Sequence, residues 1–241
     1  MISIFIGAIR PLPPDNQPTG IFKQEIVAPV WVGKEGLAGD AQADRRVHGG
    51  AEKALHQYPA AHYTTLAAAF PEARESLVPG AMGENISTPG WDETTIAIGD
   101  VFQFGCARIQ VSQPRSPCWK IEHRFRVEGM IQWIAGQRIT GWYFRVLEEG
   151  VVEPGAVFER IERNPDPVFI AELLALWAGQ CPDPQRLADV SRTPGLTASW
   201  VIKLNDRIER LRQLAAEGGA GSSGETPALF HPCPNKRSSQ G

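Results

Sequence analysis

Cysteine is scarce in this chain: Cys106, Cys118, Cys181 and Cys233 are spread over 241 residues, and no two of them form a CxxC pair. That spacing argues against a zinc or iron–sulfur site and against the dense disulfide framework of small secreted domains. No hydrophobic run is long enough to cross a bilayer. The opening MISIFIGAIRPLPP has a short apolar stretch with no basic segment ahead of it, and RPLPP interrupts it, so it reads as a first β-strand. Neither sign of charge prevails: 24 Lys and Arg face 27 Asp and Glu for a formal net charge of -3, which removes any overall attraction to nucleic acid. The chain also has no credible GxGxxG dinucleotide loop, which is a strand-to-helix element, and no internal repeat. These absences predict a reduced, cytoplasmic globular protein without nucleic-acid or membrane partners, in which any basic site is local.

What is present is enough chain for one large domain, or one domain with a small appendage, and a core that needs no disulfide staple. Short apolar stretches such as IFKQEIVAPVWV alternate with Pro and Gly near the start, the pattern of strands and turns. GKEGLAGDAQADRRVHGGAEKA is too polar and Gly-rich for a core element and reads as a long functional loop. YPAAHYTTLAAAFPEA places Pro59 at a helix start, with Tyr63, Leu66, Ala67 and Phe70 on one face. Val101 to Phe104 and Arg108 to Val111 flank a turn centred on Gly105, which predicts a hairpin with Ile109 and Val111 inward and Arg108 and Gln110 outward. TGWYFRVLEEGVVEPGAVFERIER adds two or three strands separated by EEG and EPG turns.

The expected fold class is therefore mainly β with some α, a barrel or curved sheet over residues 1–165. At Asp166 the pattern changes. Asp166 as N-cap opens a helix in DPVFIAELLALWAG, and a second helix follows CPDPQ. Leu196, Trp200, Leu204, Ile208 and Leu211 form the apolar stripe of a third, with Arg207, Glu209, Arg210 and Arg212 mostly outside it. Residues 166–215 thus predict a small three-helix domain packed on the barrel or on a partner, and the Gly-, Ser- and Pro-rich residues 216–241 predict a disordered tail.

The stretch SQPRSPCWK, Ser112 to Lys120, carries the chemistry. Core cysteines are small hydrophobes among apolar neighbours, whereas Cys118 follows a proline and lies between Arg115 and Lys120. Ser116 as N-cap, Pro117 at N1 and Cys118 at N2 would set the thiol among unpaired N–H groups at the positive end of a helix. One cation at ~6 Å with an effective dielectric near 20 adds roughly 2.8 kcal/mol in favour of the thiolate. An ionised Cys118 has three uses: nucleophile, redox centre, or ligand to a soft metal. A buried cysteine beside a structural turn is the bland alternative. Cys106, next to a hairpin turn without cations, and Cys181 read as structural, and Cys233 as incidental. A nucleophile needs a base and an orienting group, and nothing in the sequence sets His48, His56, His62 or His123 beside Cys118.

RRVHGGAEKA combines Arg45, Arg46 and Lys53 with Gly49 and Gly50, whose unhindered backbone can form an anion nest able to take a phosphate. Solvated charges on a surface turn are the alternative. In GAMGENIST, Glu84 and Asn85 sit in another turn, where their side chains can bond a heteroaromatic edge or their own backbone.

GLAGD, HGG..KAL, GEN and SQPRSPCWK occur here in the order found in MOSC domain proteins, the family named after the C-terminal domain of molybdenum cofactor sulfurase. With the appended helices, the chain resembles the stand-alone YiiM-like branch of that family over about residues 20–215, and QPRSPC is the most specific part of the likeness. The resemblance implies a β-barrel that binds molybdopterin, with Cys118 as thiolate ligand to molybdenum and catalytic residue. It also implies Arg45, Arg46, His48, Gly49, Gly50, Lys53, Glu84, Asn85, Arg115, Ser116 and Lys120 around the molybdenum cofactor. This branch and the amidoxime-reducing proteins are associated with reduction of N-hydroxylated compounds, including hydroxylaminopurines and amidoximes, by oxygen-atom abstraction at molybdenum. The hard chemistry is then the cofactor's. With neither a dinucleotide loop nor a cysteine cluster in the sequence, a separate flavin or haem reductase would supply the electrons. The alternative is a carrier that holds a persulfide on Cys118 or passes the cofactor to another enzyme, although the chain is too short to add a pyridoxal-phosphate desulfurase domain. A pure interaction module would leave Cys118 and the basic loop without a role.

Overall fold

A computed structural model describes residues 2–45, 49–180 and 182–216 and places the hairpin around Gly105 at the middle of the fold. The strands run in chain order as β1 (Ser3–Ile6), β2 (Arg10–Leu12), β3 (Gln17–Thr19), β4 (Gln24–Glu25), β5 (Val30–Gly33), β6 (Gly36–Leu37), β7 (Leu55–Gln57), β8 (Ile86–Ser87), β9 (Val101–Phe104), β10 (Ala107–Pro114), β11 (Trp142–Glu148), β12 (Gly150–Val152) and β13 (Phe158–Glu162). Among the described residues, eight of them join in one sheet ordered β13-β9-β10-β11-β7-β8-β1-β4, and β12-β5-β6 and β2-β3 form smaller sheets. The large sheet curls into half a barrel, so the fold is mainly β with several helices, as the sequence predicts.

Alternation along β10 sets the core. Ile109 and Val111 are fully buried, while Arg108 and Gln110 are half-buried on the other face. Across the ladder Val111 faces Phe144 and Ile109 faces Val146, and Phe102 stacks on Phe158 with ring centres 4.8 Å apart. A second cluster involves α1 (Ala60–Ala69), α2 (Lys120–Phe125) and α3 (Met130–Gln137), and gathers Tyr63, Leu66, Met82, Ile121, Met130 and Ile134. Ala67 and Phe70 pack against it, completing the helical face that the spacing predicts. Pro59 stands at the N-cap of α1, one position outside the helix.

After β13 come α4 (Ile170–Ala178), α5 (Pro184–Ser191) and α6 (Ala198–Ala216). Ile170, Leu173, Leu187, Val190, Trp200 and Leu204 belong to the same buried cluster as Phe102, Val111 and Phe144, so these helices pack on the sheet and complete its core. Two local expectations change. Phe169 rather than Asp166 is the N-cap of α4, because a bridge between Ala97 and Phe169, and the Ile170 N–H donating to the Ile96 carbonyl, carry extended backbone up to the first helical turn. Arg207 is buried rather than outside the stripe: its guanidinium donates to the Gly179 carbonyl at the end of α4 and lies over the Trp177 ring. Cys181, Cys233 and residues 217–241 of the expected tail lie outside the described residues. No described helix is long and apolar enough to cross a membrane.

Leu204 is fully buried on α6. Leu204→Ala should therefore cost about 2–5 kcal/mol. Because one cluster joins helices and sheet, thermal unfolding followed by far-UV circular dichroism and by tryptophan fluorescence should shift downward as a single shared transition. A helical transition well below that of the sheet would show two separate cores instead.

Candidate functional site

Backbone chemistry delivers Cys118 to the end of the sheet. β10 and β11 pair as far as Gln113 opposite Tyr143 and Pro114 opposite Trp142, after a register shift between Val111 and Gln113. The shift is a bulge at Ser112, whose hydroxyl lies 2.7 Å from the Glu52 carbonyl and 3.1 Å from that of Tyr143. The Arg115 N–H adds a last rung to the Gly141 carbonyl at 3.0 Å. Pro114 and Pro117 have no N–H to give, so the ladder stops and the chain turns away. α2 starts at Lys120 behind Trp119, and the Ile121 N–H donates to the Cys118 carbonyl at 2.9 Å. The expected helix start is thus corrected: Ser116, Pro117 and Cys118 all precede the helix, and no side chain caps it. Cys118 does not occupy N2, and the electrostatic argument for its thiol rests on neighbouring cations.

Those cations meet in a cleft. Cys118 is 7% exposed and opens onto about 610 Å³ of empty space. Lys23, Lys53, Arg115 and Lys120 line this cleft against two carboxylates, Asp40 and Asp44, so the wall carries a positive excess. Arg115 is buried, donates through Nη2 to the Met82 carbonyl at 3.2 Å, and hydrogen-bonds the Tyr143 side chain. Burial holds the Tyr143 phenol above its usual pKa, against the pull of Arg115. Tyr143 and His56 stand opposite each other on β11 and β7, with ring centres 5.4 Å apart, and both line the cleft. Gly83 lines it too, at φ +77°, where a Cβ would come within 3.0 Å of Ile21 Cγ1, so the GEN turn requires glycine there.

Of the residues singled out from sequence, Lys53, Asn85, Arg115, Cys118 and Lys120 come together here. Lys120 Nζ also reaches the Pro18 carbonyl at 2.7 Å. Asn85 has its side chain in use: Oδ1 accepts from the His56 N–H at 3.1 Å, and Nδ2 donates to Asp40 Oδ2 at 2.9 Å and to the Phe5 carbonyl at 3.2 Å. Glu84 is fully buried and does not line the cleft. Its carboxylate accepts from the Tyr63 hydroxyl and the Gly80 N–H at 2.6 Å each, and from the Met82 N–H at 3.1 Å. The cofactor contact expected of Glu84 gives way to a structural role, fixing the turn whose Met82 carbonyl receives Arg115.

Ser116, Gly49, Gly50 and Arg45 are likewise absent from the cleft wall. Gly50, at φ +83°, precedes the single 3₁₀ turn Ala51–Lys53, and Arg45 is ion-paired with Glu35 beside a neighbouring opening. Arg46 and His48 lie outside the described residues. Sequence reasoning does not single out Lys23, Asp40 or Tyr143, and it names His56 as a candidate base without placing it beside Cys118. Lys23 and Asp40 are ion-paired by the way the sheet folds, which no spacing reveals. The signal available for Asp40 was GLAGD itself, where it is the one ionisable side chain.

The molecule is thus a β-protein whose curled sheet presents one thiol and an excess of cations in a single cleft. The family model described as MOSC domain matches residues 44–159. Protein YiiM of Escherichia coli (strain K12) is 35% identical over 206 residues, 86% of this chain and 91% of that protein. Its crystal structure matches with a TM-score of 0.73 at 30% identity, covering 87% of this chain and 92% of that one. Uncharacterized protein YflK of Bacillus subtilis (strain 168) is 41% identical over 168 residues, 68% of this chain and 74% of that protein. A protein named Reductase from Gibberella moniliformis (strain M3125 / FGSC 7600) is 34% identical over 146 residues, 60% of this chain and 26% of that protein. The chain belongs to the MOSC domain family.

Burial raises the Glu84 pKa above the ordinary 4.5, opposed first by the Tyr63 hydrogen bond. A carboxyl whose folded pKa exceeds its unfolded value loses stability as pH rises from the unfolded toward the folded pKa. Tyr63→Phe should cost about 1–3 kcal/mol at neutral pH by leaving a buried carboxylate one donor short. It also raises the folded pKa further, so the deficit should shrink as pH is lowered toward the ordinary carboxylate value. Urea denaturation across that range measures both effects. A deficit independent of pH would show that Tyr63 does not act through the Glu84 charge.

Proposed function

We propose that this MOSC protein binds the molybdenum cofactor in the cleft of Cys118 and reduces N-hydroxylated compounds, such as hydroxylaminopurines and amidoximes, to the amines. The observation that carries this reading is the meeting of Cys118 with Lys23, Lys53, Arg115 and Lys120 in one cleft. The donor set fits the group: a thiolate suits a thiophilic metal, and a cationic wall suits a pterin phosphate. When bound, the cofactor supplies the two-electron removal of oxygen from nitrogen.

The chain's own part is to hold, orient and neutralise. Cys118 is the metal's protein ligand in this reading. Arg115, pinned by the Met82 carbonyl and Tyr143, faces an anionic group without having to reorganise. Lys53 and Lys120 add to the neutralisation from the same wall. The likeness to a protein named Reductase supports a reducing role. Electrons come from a separate flavin or haem reductase.

Protein made in a host that synthesises the cofactor should carry about one molybdenum per chain by elemental analysis, with matching pterin fluorescence. Cys118→Ser should lose the metal, because a protonated, hard alcohol is a poor ligand for it. With an artificial reductant the wild type should convert a hydroxylaminopurine to the amine, and the variant should not. Lys53→Glu should weaken cofactor retention with little change in melting temperature, since partly exposed charges contribute little to stability. Arg115→Glu should lower both, because it breaks a buried bond. Protein without molybdenum or pterin after loading with fresh cofactor would overturn the reading. Molybdenum-containing protein that passes cofactor or sulfur to an acceptor enzyme, and reduces no N–O bond, is a carrier.

A further inference from the structure

The cleft contains one buried ion pair to which the reading above gives no part beyond the charge of its lysine. Lys23, just ahead of β4, and Asp40, at the end of GLAGD, have side chains only 4% and 1% exposed; they form an ion pair, and both line the cleft that Cys118 lines. Asp40 is saturated with donors: Oδ1 also accepts from the Gly7 N–H at 2.8 Å, and Oδ2 accepts from Asn85 Nδ2 at 2.9 Å. Asn85 is in turn fixed by the His56 N–H and the Phe5 carbonyl. The carboxylate is therefore an immobile charge, and of its donors Lys23 alone can release a proton. As a purely structural device the pair is expensive, since two charges are taken out of water where apolar side chains of similar volume would fill the space.

We propose that Lys23, aligned by Asp40, is the catalytic acid that protonates the oxygen leaving the N-hydroxylated substrate. The assignment rests on the reductase reading above. In the overall reaction R–NH–OH takes up two electrons from the external donor and two protons, the N–O bond breaks, and R–NH2 and water form. One proton is the Nζ–H of Lys23: that bond breaks, an O–H bond forms on the departing oxygen, and the neutral amine is reprotonated from solvent through the open side of the cleft. The second proton comes from solvent.

Three other groups on the wall suit the task less well. Arg115 does not release its proton. Burial keeps the Tyr143 phenol protonated, and Lys120 is half-buried and spent on the Pro18 carbonyl. Asp44, Lys53, His56 and Cys118 are the remaining titratable residues lining the cleft. Around Lys23 itself, Asp40 and the buried Glu84 favour the charged amine, while burial disfavours it more strongly and brings its pKa below the usual lysine value. An acid catalyst works best when its pKa approaches the working pH.

Lys23→Arg keeps a cation beside Asp40 and cannot give up a proton. In molybdenum-loaded protein driven by an artificial reductant it should lower kcat about 100-fold, the scale of general acid catalysis, with KM and molybdenum content unchanged. Wild-type kcat should fall as pH rises through the Lys23 pKa, because the protonated amine is the active form, and the variant should lack that alkaline limb. A second measurement needs no cofactor: with 13C-labelled lysine, the side-chain resonance that is missing from Lys23→Arg should titrate below the usual lysine value, distinct from that of Lys203, which burial also lowers. Lys23→Met, in which Asp40 keeps its Gly7 and Asn85 donors but loses its counter-charge, should be less stable and, where folded, should also lack the limb. If the wild type is active and both variants keep its rate and pH profile, or if the resonance missing from Lys23→Arg does not titrate low, proton donation by Lys23 is overturned while the reductase reading stands. A molybdenum-loaded wild type without N–O reduction overturns both.

Discussion

The last rungs of the β10–β11 ladder fix the site. Arg115 is the final residue of the β10 side to pair, through its N–H to the Gly141 carbonyl, and Gly141 is tethered in turn by its N–H to Glu93 Oε1 at 2.7 Å. The other oxygen of Glu93 binds His62 Nε2 of α1 at 2.7 Å. A helix outside the sheet thus anchors the strand end that carries Arg115, and Cys118 follows three residues later. A slip of one residue in this register would turn Arg115 from the cleft to the opposite face. The bulge at Ser112 and the two prolines are what let a strand stop here and release its next residues inward.

Two buried charges then depend on partners drawn from different parts of the chain. Arg115 needs the Met82 carbonyl, which needs the turn held by Glu84, which is held by Tyr63 of α1. Lys23 needs Asp40, held by Gly7 and by Asn85. Glu84 and Asn85, adjacent in GEN, therefore divide the work: one side chain turns into the second core, the other supports the cleft wall. Buried charges of this kind are weak sources of net stability, and removing one partner strands the other at a cost of about 3–5 kcal/mol. Their use is positional: dipoles and charges are set before any ligand arrives, so binding requires little reorganisation.

How much of this could be read from the residues follows from the range of each interaction. The hairpin at Gly105, the α1 face of Tyr63 and Leu66 and the stripe of α6 are local periodicities, and the chain writes them plainly. Cys118 and Arg115 were legible because SQPRSPC concentrates unusual residue types in one stretch. The helix expected over Ser116 to Cys118 was not correct, since Ser–Pro also serves to end a strand, and the choice was made by the Gly141 rung and the turn at Trp119. Lys23 with Asp40, and His56 with Tyr143, were hidden because strand order brings them together. Arg207 looked like a surface charge on its own helix, and its partner at Gly179 belongs to another.

The C-terminal helices illustrate the same dependence from the other side of the sheet. Their apolar residues complete the core around Phe102 and Phe144, and the residues just ahead of α6 make polar contacts to the strand that aims the cysteine. The Thr197 N–H donates to the Ser112 carbonyl at 3.2 Å, and the Thr197 hydroxyl donates to Gln113 Oε1 at 3.0 Å, which are the residues of the bulge. Arg145 extends the link: Nη1 donates to the Gly195 carbonyl and to Gln110 Oε1 at 2.8 Å each, and Nη2 pairs with Glu52, the neighbour of Lys53 on the cleft wall. A segment that reads as an appendage is therefore mechanically coupled to both the thiol and one of its cations. The start of α6 is joined by hydrogen bonds to the Ser112 bulge, three residues before Arg115, and through Arg145 to the residue next to Lys53.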